Sequence, residues 1–264
     1  MILFTVTWAL SGVGVATGAI VARYLGRKDH KTASEAAGQG LILGGAVGLL
    51  LTVGGILYAE SVLNWIDTPP DVIGHGTRYM QIVFAGSIFR MLSFVGSGVL
   101  RAAGDTRTPM WSTALMNLFN VAGNWVLIFG IGPFPRLETD GAALATGLSF
   151  LIGSAVIFIK LFHSDSLIHI SAPQMRRLIP SIQKTIIRIA LPNMGEQLLF
   201  QGAYWIFLWI VTSLGTVALA AHFMAVRIES FSYMPVYGLA IAVSTLVGQN
   251  LGAGKIHLAE LAVR

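Results

Sequence analysis

The chain has 264 residues, 55% hydrophobic and only 11% charged, with a net charge of +5 and a mean hydropathy of +0.73. A soluble domain carries about a quarter charged residues, and a core of this size cannot hide so much apolar surface from water, so an ordinary soluble domain is excluded. Cysteine is absent, which excludes a disulfide framework, a thiolate metal site and a thiol nucleophile.

The apolar residues fall in blocks near the ~20 residues that cross a bilayer. In chain order they predict seven helices at about 2–25, 40–65, 77–101, 109–131, 141–163, 190–214 and 217–249. The thirty glycines fit this reading, because glycine is tolerated in spanning helices and lets them pack closely. Met1 opens directly into an apolar stretch with no basic leader, so no cleavable signal is expected. The separators carry the charges and breakers: RYLGRKDHK, DTPPDVIGHG, RAAGDTRTP, GPFPRLETDG, a longer stretch around 164–188, SLGT and LGAGK. Within the long one, SAPQMRRLIPSIQKTIIRI reads as an amphipathic interfacial helix and as a linker between structural halves.

The distribution of positive charge gives an orientation. Placing the first, third, fifth and seventh connections in the cytoplasm puts thirteen of the seventeen Lys and Arg residues there. The other side holds only Arg78 and Arg136, while Arg90 and Arg227 lie within spans. Topology thus accounts for the basic balance, and no nucleic acid partner is expected.

Polar residues inside spans are functional hypotheses by default. In the third span Arg90, Ser93, Ser97 and Arg101 share a face; Arg101 is expected to snorkel to the interface, and Arg90 needs a partner. Asp105 is expected to pin a turn. In the fourth span Thr113, Asn117, Asn120 and Asn124 form one stripe, either a cavity wall or a set of interhelical hydrogen bonds. In the sixth, Glu196 sits about one turn past Pro192, either reaching interfacial water or facing a cavity as a coupling carboxylate. Gln197, Gln201, Tyr204 and Trp205 form an aromatic and amide stripe that suits flat organic cations or helix packing. In the seventh, His222, Glu229 and Tyr233 align as a proton relay or a buried hydrogen-bond cluster. LGAGK lacks the GxxxxGK[ST] spacing of a phosphate loop, and neither HExxH, GxSxG nor a metal-binding cluster occurs. No enzyme, catalytic residue or metal is expected.

Residues 12–38 align on 238–264 at an offset of 226, pairing Gly12 with Gly238, Ala16 with Ala242, Leu25 with Leu251 and Gly26 with Gly252. Both copies end a span, pass a Leu-Gly turn on the same membrane face and start an amphipathic stretch, which implies parallel repeats. If the halves are equivalent, a helix is missing before Met1 and several more after Arg264.

GVLRAAGDTRTPM (98–110), GPFPRLETDGAALAT (132–146), LGTVALAAH (214–222) and MPVYGLAIAVSTLVGQNLGAGK (234–255) resemble the signature segments of multidrug and toxic compound extrusion (MATE) transporters. VARYLGRKDHKTASEAAGQ (21–39) resembles the family's loop between helices two and three. The resemblance implies an all-α polytopic membrane protein of about seven transmembrane helices, matching helices two to eight of a twelve-helix, two-lobe fold. Residues 1–163 would be most of the N-terminal lobe without its first helix, 164–189 an amphipathic cytoplasmic linker, and 190–264 the first two helices of the C-terminal lobe. It also implies a plasma-membrane antiporter driven by H+ or Na+, without a bound cofactor, exporting organic, often cationic compounds and completed by the missing remainder of the transporter. In some members the position of Asn124 is an aspartate following an asparagine at Asn120, and the second-lobe glutamate lies nearer Phe200 or Gln201 than Glu196. The family's first-helix carboxylate is absent. Alternatives are a lipid-linked oligosaccharide flippase, disfavoured by only two deep cations, a seven-helix receptor, disfavoured by the repeat, and a non-transporting membrane remnant.

Overall fold

The computed structural model describes residues 10–66, 68–163, 167–170 and 177–263. Among these the chain forms helices α1 (Gly12–Gly26), α2 (His30–Trp65), α3 (Pro70–Ala85), α4 (Ser87–Ala102), α5 (Arg107–Phe129), α6 (Glu138–Phe162), α7 (Pro180–Ser213), α8 (Thr216–Gly252) and α9 (Ile256–Leu261), with no strand. Stretches long and apolar enough to cross a membrane are His30–Trp65, Pro70–Ala102, Arg107–Phe129, Glu138–Phe162 and Thr216–Gly252. The expected first span begins outside the described residues; its remainder is α1.

The helices outrun the apolar blocks. Helix α2 starts at His30, ten residues before the expected span, because polarity ends a hydrophobic window without ending a helix. The stretch TASEAAGQ favours helix, and the Asp29 carboxylate caps it by accepting from the Thr32 amide at 3.0 Å. That hydrogen bonding, from the hydroxyl as well as the amide of Thr32, holds Asp29 below the usual carboxylate range. Helix α7 likewise starts at Pro180 and runs through Pro192, so the second part of the amphipathic stretch joins the expected sixth span in one helix, which is not among the stretches apolar enough to cross a membrane. The first part, 171–176, lies outside the described residues.

The expected third span is broken in two at Gly86. A β-carbon there would stand 2.9 Å from Gly147 Cα of α6, so the bend lets two backbones meet. At the bend the Phe84 carbonyl accepts from the Thr52 hydroxyl of α2 at 2.9 Å, which satisfies a group that the helix break frees.

Helix α1 lies at the centre, packed on α2, α4, α7 and α8, while α5 packs mainly on α6. Its Val13, Ile20 and Val21 meet Leu41 of α2, Val95 and Val99 of α4, and Ile186 of α7 in the main core. The C-terminal ends of α1, α4 and α8 converge: the Gln249 side chain donates to the Ala102 carbonyl at 2.8 Å. The first, third and seventh connections, grouped by charge count, are therefore grouped in space at this end. At the opposite end Arg78 of α3 pairs with Asp140 of α6 at 3.5 Å.

The two repeat copies follow one backbone path. After α1, Lys28 N donates to Leu25 O and Asp29 N to Tyr24 O; after α8, at the same offset, Gly254 N donates to Leu251 O and Lys255 N to Asn250 O. The turn residue is left-handed in both, with φ of 61° at Lys28 and 73° at Gly254. A β-carbon resists this conformation by about 1 kcal/mol or more. Lys28→Gly should therefore raise stability by up to about 1 kcal/mol, and Gly254→Ala should lower it by a similar amount. Opposite shifts of the thermal midpoint in detergent would bear this out; shifts of the same sign would show that the turns are not equivalent.

Candidate functional site

Two adjoining cavities open beside the central helix. The first, about 250 Å³, lies between α1 and α4 on one side and α7 and α8 on the other; Asn193, Gln197, Tyr237, Ser244 and Thr245 supply its α7 and α8 wall. The second, about 400 Å³, runs along α4 toward α5 and α6, past Arg90, Ser93, Ser97, Thr113 and Phe150. Ser11, Phe94, Arg101, Tyr237 and Ile241 border both. Small residues make this geometry possible: a β-carbon on Gly98 of α4 would stand 2.9 Å from the Gly14 carbonyl of α1, so the two helices touch in the wall of the first cavity.

The polar face read on the third span is the cavity face of α4. Arg101 borders both cavities, near the end of α4 that α8 covers through the Gln249–Ala102 hydrogen bond. Arg90 finds the partner that the sequence left unnamed in a ring: its guanidinium carbon stands 5.2 Å from the centre of Phe150. Among the described residues neither arginine has a carboxylate within ion-pair distance.

The fourth-span stripe is divided. Thr113 lines the larger cavity, Asn117 is exposed, and Asn120 and Asn124 turn to α6. Asn124 donates to Asn120 Oδ1 at 3.1 Å, and Asn120 donates to the Thr146 hydroxyl at 3.2 Å, which in turn donates to the Ala142 carbonyl at 2.9 Å. Asn124 Oδ1 is buried and accepts no hydrogen bond from described residues. On α7, Gln197 faces the first cavity, whereas Glu196 is exposed in a shallow groove with Pro192, Leu199 and Phe200. Gln201 and Tyr204 are half-buried, and the Tyr204 ring lies 6.3 Å from that of His222 on α8. Phe207 stands 5.2 Å from the same imidazole, and His222 Nε2 is buried without a partner among described residues. Glu229 and Tyr233 are exposed further along α8, so the His222 ring meets α7 and its neighbour Phe223 rather than those two residues.

Asp105 does pin its turn, accepting from the Thr108 amide at 3.0 Å and hydroxyl at 2.6 Å. Burial pushes this carboxyl up, but those bonds and Lys160 hold it below its usual range.

The sequence reading passed over Asn193, Tyr237, Ser244, Thr245 and Thr146. A signal for the α8 set exists: positions 237, 241, 244 and 245 follow helical i, i+4, i+7, i+8 spacing and form one face. Thr146 gave none, since its role depends on α5 packing against α6.

A family profile described as MatE matches residues 1–126 and 192–264. A probable multidrug resistance protein NorM of Thermotoga maritima is 30% identical over 239 residues, covering 89% of this chain and 50% of that protein. An FAD transporter of Shewanella oneidensis is 28% identical over 264 residues, covering 98% of this chain and 58% of that one. A crystal structure of MATE in complex with MaD3S superposes with a TM-score of 0.89 at 27% identity, over 98% of this chain and 58% of that chain. The chain thus spans about half the length of the curated relatives it matches.

Proposed function

Because the chain belongs to the MatE family of transporters, we propose that it is part of a multi-pass plasma-membrane antiporter that exports organic compounds by alternating access. The observation that carries this reading is the cavity between α1 and α8, where the two repeat copies meet. A solute site at a repeat interface is what rocking of one lobe against the other requires. Residues 1–163 then form most of one lobe, 164–189 the link, and 190–264 the start of the second. The remainder of the transporter would supply the other helices.

The cluster of Asn120, Asn124 and Thr146 is the proposed site of the coupling ion. Its oxygens are neutral; they can coordinate a hard cation but do not take up a proton near neutral pH. This favours Na+ over H+. The free lone pairs of Asn124 Oδ1 are the point of attachment.

The test is uptake of carboxyfluorescein and of ethidium into inverted vesicles containing the transporter, under imposed Na+ or H+ gradients. We expect Na+-dependent accumulation of one dye, and loss of the Na+ dependence in Asn124→Leu at unchanged protein level. If neither dye moves under either gradient, export is the wrong function; if an H+ gradient alone drives movement and Asn124→Leu keeps it, the ion site is wrong.

A further inference from the structure

We propose that the cavity binds an elongated organic anion, with one negative group at Arg90 and a second at Arg101. This rests on the reading of the cavity as the solute site. The two arginines are eleven positions apart on one face of α4, three turns or about 16 Å along the axis. Ser93 and Ser97 fall between them, and all four side chains border the larger cavity.

The charge on the wall has one sign. Among the described residues no Asp or Glu borders either cavity, and neither arginine is in an ion pair. The nearest acidic residues in sequence on α7 and α8, Glu196 and Glu229, are exposed and lie off the cavity wall. A guanidinium does not lose its proton in a protein, so it cannot escape an apolar setting by neutralising. Within a membrane such a group pairs with an anion or lines a watery cavity. Phe150 holds Arg90 against its face and leaves the N–H fork for a carboxylate or phosphate, which guanidinium groups bind in a bidentate manner. Phe94 and Tyr237 share the common wall with Arg101 and supply aromatic surface there. A cationic solute would meet two like charges and no counter-charge from the described residues of these walls.

Fluorescence anisotropy of the purified transporter in neutral detergent tests the proposal, with carboxyfluorescein as an aromatic polyanion and ethidium as an aromatic cation. Carboxyfluorescein should bind at least about tenfold more tightly, and Arg90→Gln and Arg101→Gln should each weaken it by about tenfold or more. Arg90→Lys and Arg101→Lys should restore much of the affinity, and added NaCl should reduce it. Added phosphatidylglycerol separates a soluble anion from a lipid headgroup: a site for soluble anions keeps the dye, whereas full displacement by the lipid at low concentration overturns the proposal. Unchanged carboxyfluorescein binding in both Gln variants, with normal melting and elution, also overturns it. Ethidium bound in preference, and lost in Tyr237→Ala, would overturn the charge assignment while leaving the solute cavity intact. Absence of binding by either dye would overturn both.

Discussion

Gly26→Ala and Gly252→Ala are each expected to lower the stability of the folded chain by about 1–3 kcal/mol, although each adds only one methyl group. A β-carbon on Gly26 of α1 would run into the Gln249 carbonyl of α8, and one on Gly252 of α8 would run into the Arg23 carbonyl of α1. The two contacts exchange under the 226-residue offset, since 23 and 249 correspond as do 26 and 252. Both obstacles are backbone, so no side-chain rotation relieves them, and α1 and α8 must separate. Separation would also loosen the Gln249–Ala102 hydrogen bond that closes the end of α4. Gly238, Gly195 and Gly202 are the controls: a β-carbon there meets nothing within 4 Å. Alanine at those positions should be neutral or stabilise by a few tenths of a kcal/mol to about 1 kcal/mol. The double variant Gly26→Ala/Gly252→Ala should fall short of the sum, because the first separation already makes room for the second methyl. Thermal midpoints in detergent decide it; an unchanged midpoint in either single variant would show that α1 and α8 are not held this closely.

That pair also shows what could be read from residue order. The matching Gly26 and Gly252 exposed the repeat and its parallel sense, but not that each glycine faces the other copy's backbone. Hydropathy located the spans well where both faces are apolar, as in 141–163, observed as Glu138–Phe162. It failed at the start of α2 and of α7, where helix continues into polar sequence. It also missed the bend at Gly86, which depends on Gly147 lying opposite. For the site, helical spacing correctly grouped Arg90, Ser93, Ser97 and Arg101 on one face. Spacing alone could not say what faced them. Thr113 and Asn120 share a stripe on α5, yet one borders a cavity and the other bonds to Thr146, because neighbouring helices cover different lengths of that stripe. The Tyr204–His222 contact spans two helices and has no periodic signature in either.

Gln39→Leu is expected to be the other severe substitution, at about 2–3 kcal/mol, though leucine is apolar and close in size. Gln39 is 0% exposed, on the part of α2 that packs against α7. Its amide donates to the Arg177 carbonyl at 2.8 Å, and its oxygen accepts from the Ile179 amide at 3.0 Å. One side chain therefore satisfies two backbone groups of the segment that enters α7, as a β-ladder partner would. Leucine leaves both groups without that partner at a part-buried contact, where each loss costs about 1 kcal/mol or more. Gln39→Glu separates the halves of the clamp: it keeps the acceptor for Ile179 but turns an oxygen toward the Arg177 carbonyl. As a buried carboxylate without a cation it should destabilise more at neutral than at acid pH. The local consequence is undocking of residues 177–179, so trypsin should cut after Arg177 much faster in Gln39→Leu than in the wild type. Cleavage should precede loss of the α1–α6 bundle, whose own core extends away from this clamp through Val95, Val99 and Leu161. Equal cleavage rates and equal thermal midpoints would mean that the entry to α7 is held by the packing of Ile182 and Ile186 alone.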